Sequence, residues 1–403
     1  MESRSDFRKK NNRNNLYLIV GALVIVIALI GGFAIHNHNV AEQAKARTFA
    51  KNHFNPNVTI YGVKVGNLTV EKATEKINQK ANNTIKLKND KLSESHDSSI
   101  QTITTNQVED YFNKQHTDLP NKQNYKYDSA EYDKGKDKLK NINKSTLTYS
   151  LDGNNYELKA DELIDEATYK NGKIKFNDVD KLTAKLKEIN KKHGTLHKSY
   201  QIFVPNDKKV KGKKITVKNK SYGWDINIDK AERAIEQAFM TDQKRLDGKD
   251  YIYGTGYSTY AHGYGKSNHG LGDSYVVVSI KNQELWIVRK GKLVVHLNDV
   301  VTGTYVGGKG NRTPTGVWYI QYKESPSVLR GLNDDGSKYA SKVQYWMPFT
   351  LSGCGLHDAS WRTDWTKKAY LNGGSHGCVN IRPSEITEVW NNVITNEPVI
   401  VYN

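Results

Sequence analysis

A chain of 403 residues in which 60 Lys and Arg face 43 Asp and Glu carries a net charge of +17, and its length is that of two or three domains with at least one large core. With 26% charged and 37% hydrophobic residues it has the composition of a folded, water-soluble protein, apart from one local exception. Its two cysteines exclude a disulfide scaffold and a thiolate metal framework, both of which need several at short spacing.

The exception comes early. Residues 16–35, LYLIVGALVIVIALIGGFAI, form an uncharged apolar run long enough to cross a hydrocarbon core as a helix. The tail before it, 1–15, carries Arg4, Arg8, Lys9, Lys10 and Arg13. The positive-inside bias holds such a tail in the cytoplasm, so everything after His36 is expected outside. A cleaved export signal is the alternative, disfavoured by the length of the run and by the lack of a small-x-small site before HNHNVAEQAKA. An outside location also changes the polyanion expected for so basic a chain: nucleic acid is no routine partner there, and anionic cell-wall polymers or lipid head groups fit better. Lysines that merely keep the surface soluble are the plainer account of the same charge.

A polar juxtamembrane segment, 36–53, leads into FNPNVTIYGVKVGNLTVEKATEKINQKA. Val58, Ile60, Val63 and Val65 predict a short extended stretch, and TVEKATEKI predicts a helix capped by Thr69. A similar string, YGWDINIDKAERAIEQAF, returns at 222–239 and suggests a weak internal duplication. Between them, charged helical patterns such as DVDKLTAKLKEINKK alternate with strand-like YQIFV and KITVKN, so 54–248 is expected to hold one or two α+β modules. His96, His116, His193 and His197 are scattered among Lys and Asn and are expected at the surface. Residues 249–272, rich in Gly and Tyr without apolar periodicity, predict a linker. His262 and His269 within it lack the carboxylate or thiol neighbours of a metal site.

From 273 to 403 the pattern becomes densely β. Strands are predicted at 275–280, 284–289 and 292–302, with turns at Lys281-Asn282 and Lys290-Gly291. TPTGVWYI and EPVIVYN add strands to a compact, mostly β domain of sandwich or barrel type. One helix is predicted in PSEITEVWNNVI, opened by Pro383 and Ser384. The fold class of the whole is α+β behind an N-terminal transmembrane helix.

The chemistry concentrates at GGSHGCVNIRP, 373–383. A thiol attacks well only when its proton is removed, which takes a nearby cation, an imidazole or a helix N-terminus. Side chains adjacent on an extended segment point to opposite faces, so the base for Cys378 is expected from elsewhere in the fold. His357, in GCGLHDA, is one candidate, and His376, two residues from the thiol, is the other. The backbone N–H groups of Gly377 and Cys378 could converge on the oxygen of a tetrahedral intermediate. Cys354 is expected to be a packed small residue, with a bond to Cys378 as the alternative; such a bond would close a loop worth roughly 3 kcal/mol and consume the nucleophile.

SHGCVNI at 375–381, preceded by GLHDA at 355–359, resembles the active-site signature of the L,D-transpeptidases of bacterial walls, the YkuD-type catalytic domain. NRTPTGVWYI, YWMPF and the β-rich run from 275 are similar to that domain too, so the resemblance covers about 274–403. Upstream, PNVTIYGVKVGNLTVEKA and YGWDINIDKA resemble the peptidoglycan-binding modules that accompany it in Gram-positive bacteria. The resemblance implies Cys378 as nucleophile, His357 as proton acceptor and donor, and Ser375, His376 and Gly377 as members of the active-site loop. It implies that the carbonyl of Asp358 orients His357. Asn380 stands where many relatives have Arg, with Arg382 two residues on. Asp358, Asn380 and Arg382, with Trp361 and Trp346, are the candidate substrate contacts, although the tryptophans suit a core equally well.

The implied reaction is a two-step acyl transfer without metal or cofactor. Cys378 attacks the carbonyl of the third residue of a tetrapeptide stem and expels D-Ala, and an amine of a neighbouring stem resolves the thioester. The implied partners are peptidoglycan stem peptides, with carbapenem-type compounds as inhibitors of the same thiol. An L,D-carboxypeptidase using the same residues and a non-catalytic wall-binding protein are the alternatives.

Overall fold

The structure, a computed structural model, describes residues 4–206, 209–256, 260–305, 310–333 and 335–403, with side chains from Asn15 onward. Arg4, Arg8, Lys9, Lys10 and Arg13 therefore lie outside the described side chains. One helix runs Arg4–Ala50. From Asn15 it contains a stretch of mean hydropathy 3.0, none of it buried against protein, and is long and apolar enough to cross a membrane. Residues 36–50 continue this helix because they contain neither Gly nor Pro to stop it.

The chain divides into two compact units, 1–143 with 166–177 and 144–165 with 178–403. The 54–248 stretch is thus interleaved: the chain leaves the first unit at Lys144 and returns to it at Glu166. In the first unit the strand Val58–Ile60 pairs antiparallel with Val63–Lys64 and parallel with Tyr125–Tyr127. Thr69 caps the helix Val70–Lys80, its hydroxyl accepting from Lys72 N at 3.4 Å. That helix buries Ala73 and Ile77 against Val108 and Phe112 of the helix Thr105–Gln115. A four-stranded sheet is completed by the returning strands Glu166–Lys170 and Lys173–Asp178.

In the second unit the strand-to-helix pattern recurs. Asn227 caps Ile228–Thr241 by accepting from Lys230 N at 3.1 Å. Residues 249–272 differ from the linker expected of them, leaving aside 257–259, which lie outside the described residues. Ile252–Tyr253 pairs with Asp225–Ile226, and His262, only 2% exposed, stacks on Tyr319 at 3.9 Å and on Tyr222 at 5.7 Å. Tyr222 Oη donates to Gly270 O at 2.6 Å. Aromatic rings packing singly between glycines leave no period to read, which is why packed chain looks like linker here.

The C-terminal region is a sandwich. Its five-stranded sheet has the order Lys292–Leu297, Glu284–Arg289, Tyr275–Ser279, Pro398–Tyr402, Gly316–Tyr319, with the central pair Tyr275–Ser279 and Pro398–Tyr402 parallel. Lys290 and Gly291, at φ 48° and 72°, make the tight turn between the first two of these strands. Tyr275–Ser279 is buried throughout because both faces are covered. Val276 and Val278 face a core shared with Met347, Leu356, Val379 and Ile381. Tyr275 and Val277 face a second core, which the hairpin Ser199–Asn206/Lys209–Lys218 closes with Ile202, Val204 and Val217. A three-stranded sheet, Trp346–Pro348, Gly355–Asp358 and Val379–Ile381, supplies the first of these covers. The late helix spans Ile386–Asn392, starting after Pro383 and Ser384 with no side-chain cap.

Below that helix Glu397, 3% exposed, pairs with Arg289, whose Nη2 lies 2.7 Å from Oε1, and also accepts from Ile394 N at 2.8 Å. Arg289 donates in addition to the Asn392 carbonyl at the helix end. Burial alone pushes the Glu397 carboxyl above its ordinary range, and the guanidinium opposes that. Arg289→Ala strands this carboxylate, so unfolding free energy should fall by about 3–5 kcal/mol. Urea denaturation checks this, and an unchanged midpoint would show the pair to be dispensable.

Candidate active site

Two neighbouring strands build the site. Gly355–Asp358 and Val379–Ile381 run parallel in the register Leu356↔Val379, His357↔Asn380, Asp358↔Ile381. Alternation turns Leu356, Val379 and Ile381, all fully buried, into the core. It turns His357 and Asn380, with Cys378 two residues before Asn380, to the other face. There they line a cavity of about 290 Å³ with Ser375, His376, Trp361, Arg362 and Tyr339. Cys354 precedes Leu356 by two residues and falls on the core side, where it is 7% exposed. Both cysteines are free thiols.

The turn into Cys378 is braced from behind. Asn380 exchanges backbone hydrogen bonds with Val301 at 2.8 and 3.0 Å, and Thr304 N donates to Ser375 O at 3.0 Å. Ser375 Oγ accepts from Gly377 N at 3.0 Å and donates to Cys378 O at 2.5 Å. This differs from the expectation that the Gly377 and Cys378 amides both point at a reacting oxygen: the Gly377 amide is already committed to Ser375, which tightens the turn. Gly377 sits at φ 117°, and a Cβ there would come within 2.7 Å of Cys354 Sγ.

His357 is 3% exposed, between Trp346 at 5.9 Å and Trp361 at 5.8 Å between ring centres. Its Nδ1 donates to the Asp358 carbonyl at 2.8 Å, which leaves the lone pair on Nε2. Asn380 meets both its neighbours with its amide nitrogen toward His357 Nε2, at 3.2 Å, and its oxygen toward Arg362, 2.9 Å from Nε and 3.0 Å from Nη2. Reversed, it would face donor to donor. Arg362 Nη1 also donates to Gly373 O at 2.7 Å, tying this chain to the active-site turn.

Burial pushes the His357 imidazole below its ordinary value, and the Asp358 carbonyl only partly offsets this. Burial, with Cys354 nearby, pushes the Cys378 thiol up to about 12, against the opposing amide of Gly355. Both shifts favour the uncharged forms of the two groups.

Other expected residues are placed differently from one another. His376 stacks on Tyr339 at 5.4 Å, in the cavity wall. Trp361 is half exposed and lines the cavity, whereas Trp346 is 7% exposed, donates to Tyr322 Oη at 3.3 Å and belongs to the core. The Asp358 carboxylate is taken by the amides of Gln344 and Tyr345, at 2.8 and 2.9 Å, so this residue serves His357 through its carbonyl alone. Arg382 pairs with Asp299, Nε to Oδ2 2.6 Å, lies over the Trp365 ring and is not among the residues lining the cavity. Both depart from the substrate contacts expected of them. Arg362 and the hairpin Ser327–Leu332/Lys338–Val343, which brings Leu329, Tyr339 and Ser341 to the cavity, were not anticipated. The turn residues of NDDGS, 333–337, were the available signal for that hairpin.

The L,D-transpeptidase catalytic domain (YkuD) family matches residues 273–401. Among solved structures, the Ldtfm–avibactam carbamoyl enzyme is 26% identical and covers 68% of this chain and 99% of its own, with a TM-score of 0.50. A cysteine-to-serine mutant of the Enterococcus faecium L,D-transpeptidase is 26% identical over 67% of this chain and 100% of its own, at a TM-score of 0.49. The catalytic domain of the E. faecium enzyme acylated by ertapenem is 37% identical over 32% of this chain and 97% of its own, at 0.29. No curated protein matches the chain.

Gly377→Ala should abolish covalent labelling of the Cys378 thiol by a carbapenem while the protein stays folded. Adding Cys354→Gly removes the contact and leaves φ 117° in place, so the double variant should remain unlabelled. Full labelling of either one would show that the turn tolerates a side chain.

Proposed function

Residues 273–401 belong to the L,D-transpeptidase family of catalytic domains, and we propose that this protein cross-links peptidoglycan stems outside the cell membrane through a Cys378 acyl-enzyme. The helix Arg4–Ala50 is its anchor, with the basic tail inside and the catalytic domain in the wall. The observation that carries the mechanism is the register that turns His357, Cys378 and Asn380 to one cavity.

In the first step Cys378 Sγ attacks the carbonyl carbon of the stem's third residue and passes its proton to His357 Nε2. Asn380 yields that lone pair as the imidazole becomes a cation, and the Asp358 carbonyl stabilises the cation at Nδ1. The tetrahedral oxygen is held by the Cys378 amide. When the C–N bond to D-Ala breaks, His357 returns the proton to the departing amine. In the second step the acceptor amine attacks the thioester, loses its proton to His357, and the C–S bond breaks to regenerate the thiol. The product is a link between third residues, without metal or cofactor. His376 and Trp361 border the stem, and Arg362 holds Asn380 in place.

Mass spectrometry with a carbapenem tests the assignment. The wild type should gain one adduct, Cys378→Ala none, and His357→Gln should be acylated roughly 10²–10⁴ times more slowly. Because burial lowers the imidazole and raises the thiol, the rate should rise as His357 loses its proton below pH 6.5, stay flat to about pH 9 and show a normal solvent isotope effect. A rate that falls above pH 8 with no isotope effect would mean a resting thiolate–imidazolium pair instead.

A further inference from the structure

Away from the cavity at Cys378, the second unit has a groove of about 570 Å³. Among the described residues the strand Lys209–Lys218 pairs only with Ser199–Asn206, and its other edge carries no strand. Beyond its end the chain is tied to Gly316–Tyr319 through the Asn219↔Val317 bridge and Lys220 N donating to Val317 O at 2.9 Å. The groove lies between that edge and the segment Arg312–Gly316, with Val401 and Tyr402 in its lining.

Five cations line it, Lys213, Lys214, Lys218, Lys220 and Arg312, and no Asp or Glu side chain does. Among the described residues none of the five forms an ion pair, whereas Lys86, Lys136, Lys170 and Lys181 elsewhere are paired. Gathered like charges repel one another, and a bound anion relieves that repulsion. Lys214 and Lys218 share one face of the strand about 13 Å apart with Thr216 between them, and Lys213, Lys220 and Arg312 spread charge along the rest of the groove. A ligand matched to these five cations carries several negative charges distributed along a chain. Linear phosphodiesters do; a stem peptide, with its few carboxylates, does not.

Nucleic acid has the same backbone chemistry. Grooves for single strands, however, combine cations with exposed aromatic faces on which bases stack. The one aromatic residue lining this groove, Tyr402, is 7% exposed, and Lys213 Nζ lies 5.7 Å from its ring centre. We propose that the groove binds a linear polyol-phosphate polymer of the cell wall. Such binding would hold the catalytic domain on the wall: the residue before Arg312 places its carbonyl 3.7 Å from where a Cβ on Gly377 would sit. The identity of the occupant rests on the outward orientation proposed above, and the five cations do not depend on the acyl transfer.

The test uses the full chain in a non-ionic detergent, with poly(glycerol phosphate) as probe and carbapenem acylation followed in the same samples. Lys214→Glu/Lys218→Glu should bind the polymer at least tenfold more weakly than wild type and acylate normally. Lys138→Glu/Lys187→Glu, with the same charge change on exposed helical lysines, should bind like wild type. A single-stranded oligonucleotide of equal charge should bind at least tenfold more weakly than the polymer. The proposal is overturned by no binding to the wild type, by equal losses in the two double variants, or by an oligonucleotide that binds as tightly. Should the glutamate pair fail to fold, shown by lost acylation, Lys214→Gln/Lys218→Gln is judged by the same criteria. Loss of acylation in the wild type would instead count against the acyl-transfer mechanism and leave the polymer measurement readable.

Discussion

The parallel register between Gly355–Asp358 and Val379–Ile381 is the constraint on which the site depends. Because side chains alternate along a strand, a slip of one residue in either strand would turn its polar set into the core and its apolar set into the cavity. The apolar set resists that slip. Leu356, Val379 and Ile381 are fully buried beside Val276 and Val278 of the larger sheet, and burying a side chain of this size is worth about 1.5–3 kcal/mol. The sandwich core thus fixes which residues meet the substrate, and the braces at Val301 and Thr304 fix where the intervening turn lies.

The electrostatics follow from the same burial. Desolvation disfavours the imidazolium at the buried His357 and the thiolate at the half-buried Cys378. Among the described residues the one cation in the cavity lining, Arg362, reaches His357 only through Asn380, so the polar groups around the imidazole act by orientation. The run from Arg362 through Asn380 to His357, ending on the Asp358 carbonyl, selects one tautomer of the ring. A cation placed directly against the imidazole would depress its basicity further; the neutral amide between them carries the orientation and keeps the guanidinium one residue away.

Much of this was legible in the sequence. The apolar run of the first helix, the Lys290-Gly291 turn and the strands around it follow from local pattern, and the pairing of GLHDA with SHGC was implied by the family resemblance. What was not legible depends on contacts distant in sequence. Residues 249–272 look like linker because His262 packs against Tyr222 and Tyr319 while Tyr264 packs against Trp224, with no shared period. The returning strands Glu166–Lys170 and Lys173–Asp178 interleave the two units, and nothing local marks an interleaved chain. Arg382 was a candidate substrate contact because Asn380 stands where many relatives have Arg and Arg382 follows two residues on, yet Asp299, far away in sequence, holds it. Arg362 was overlooked for the complementary reason, since only the fold brings it to Asn380.

The most direct test of the central claim is to mix the full chain with a disaccharide tetrapeptide and follow both protein mass and product over time. The account predicts a transient adduct on Cys378 equal to the stem without its terminal D-Ala, followed by a dimer joined through third residues. An adduct on Cys378 that yields only trimmed tripeptide would make the enzyme a carboxypeptidase. No adduct, or one on another residue, would contradict the placement of the nucleophile itself.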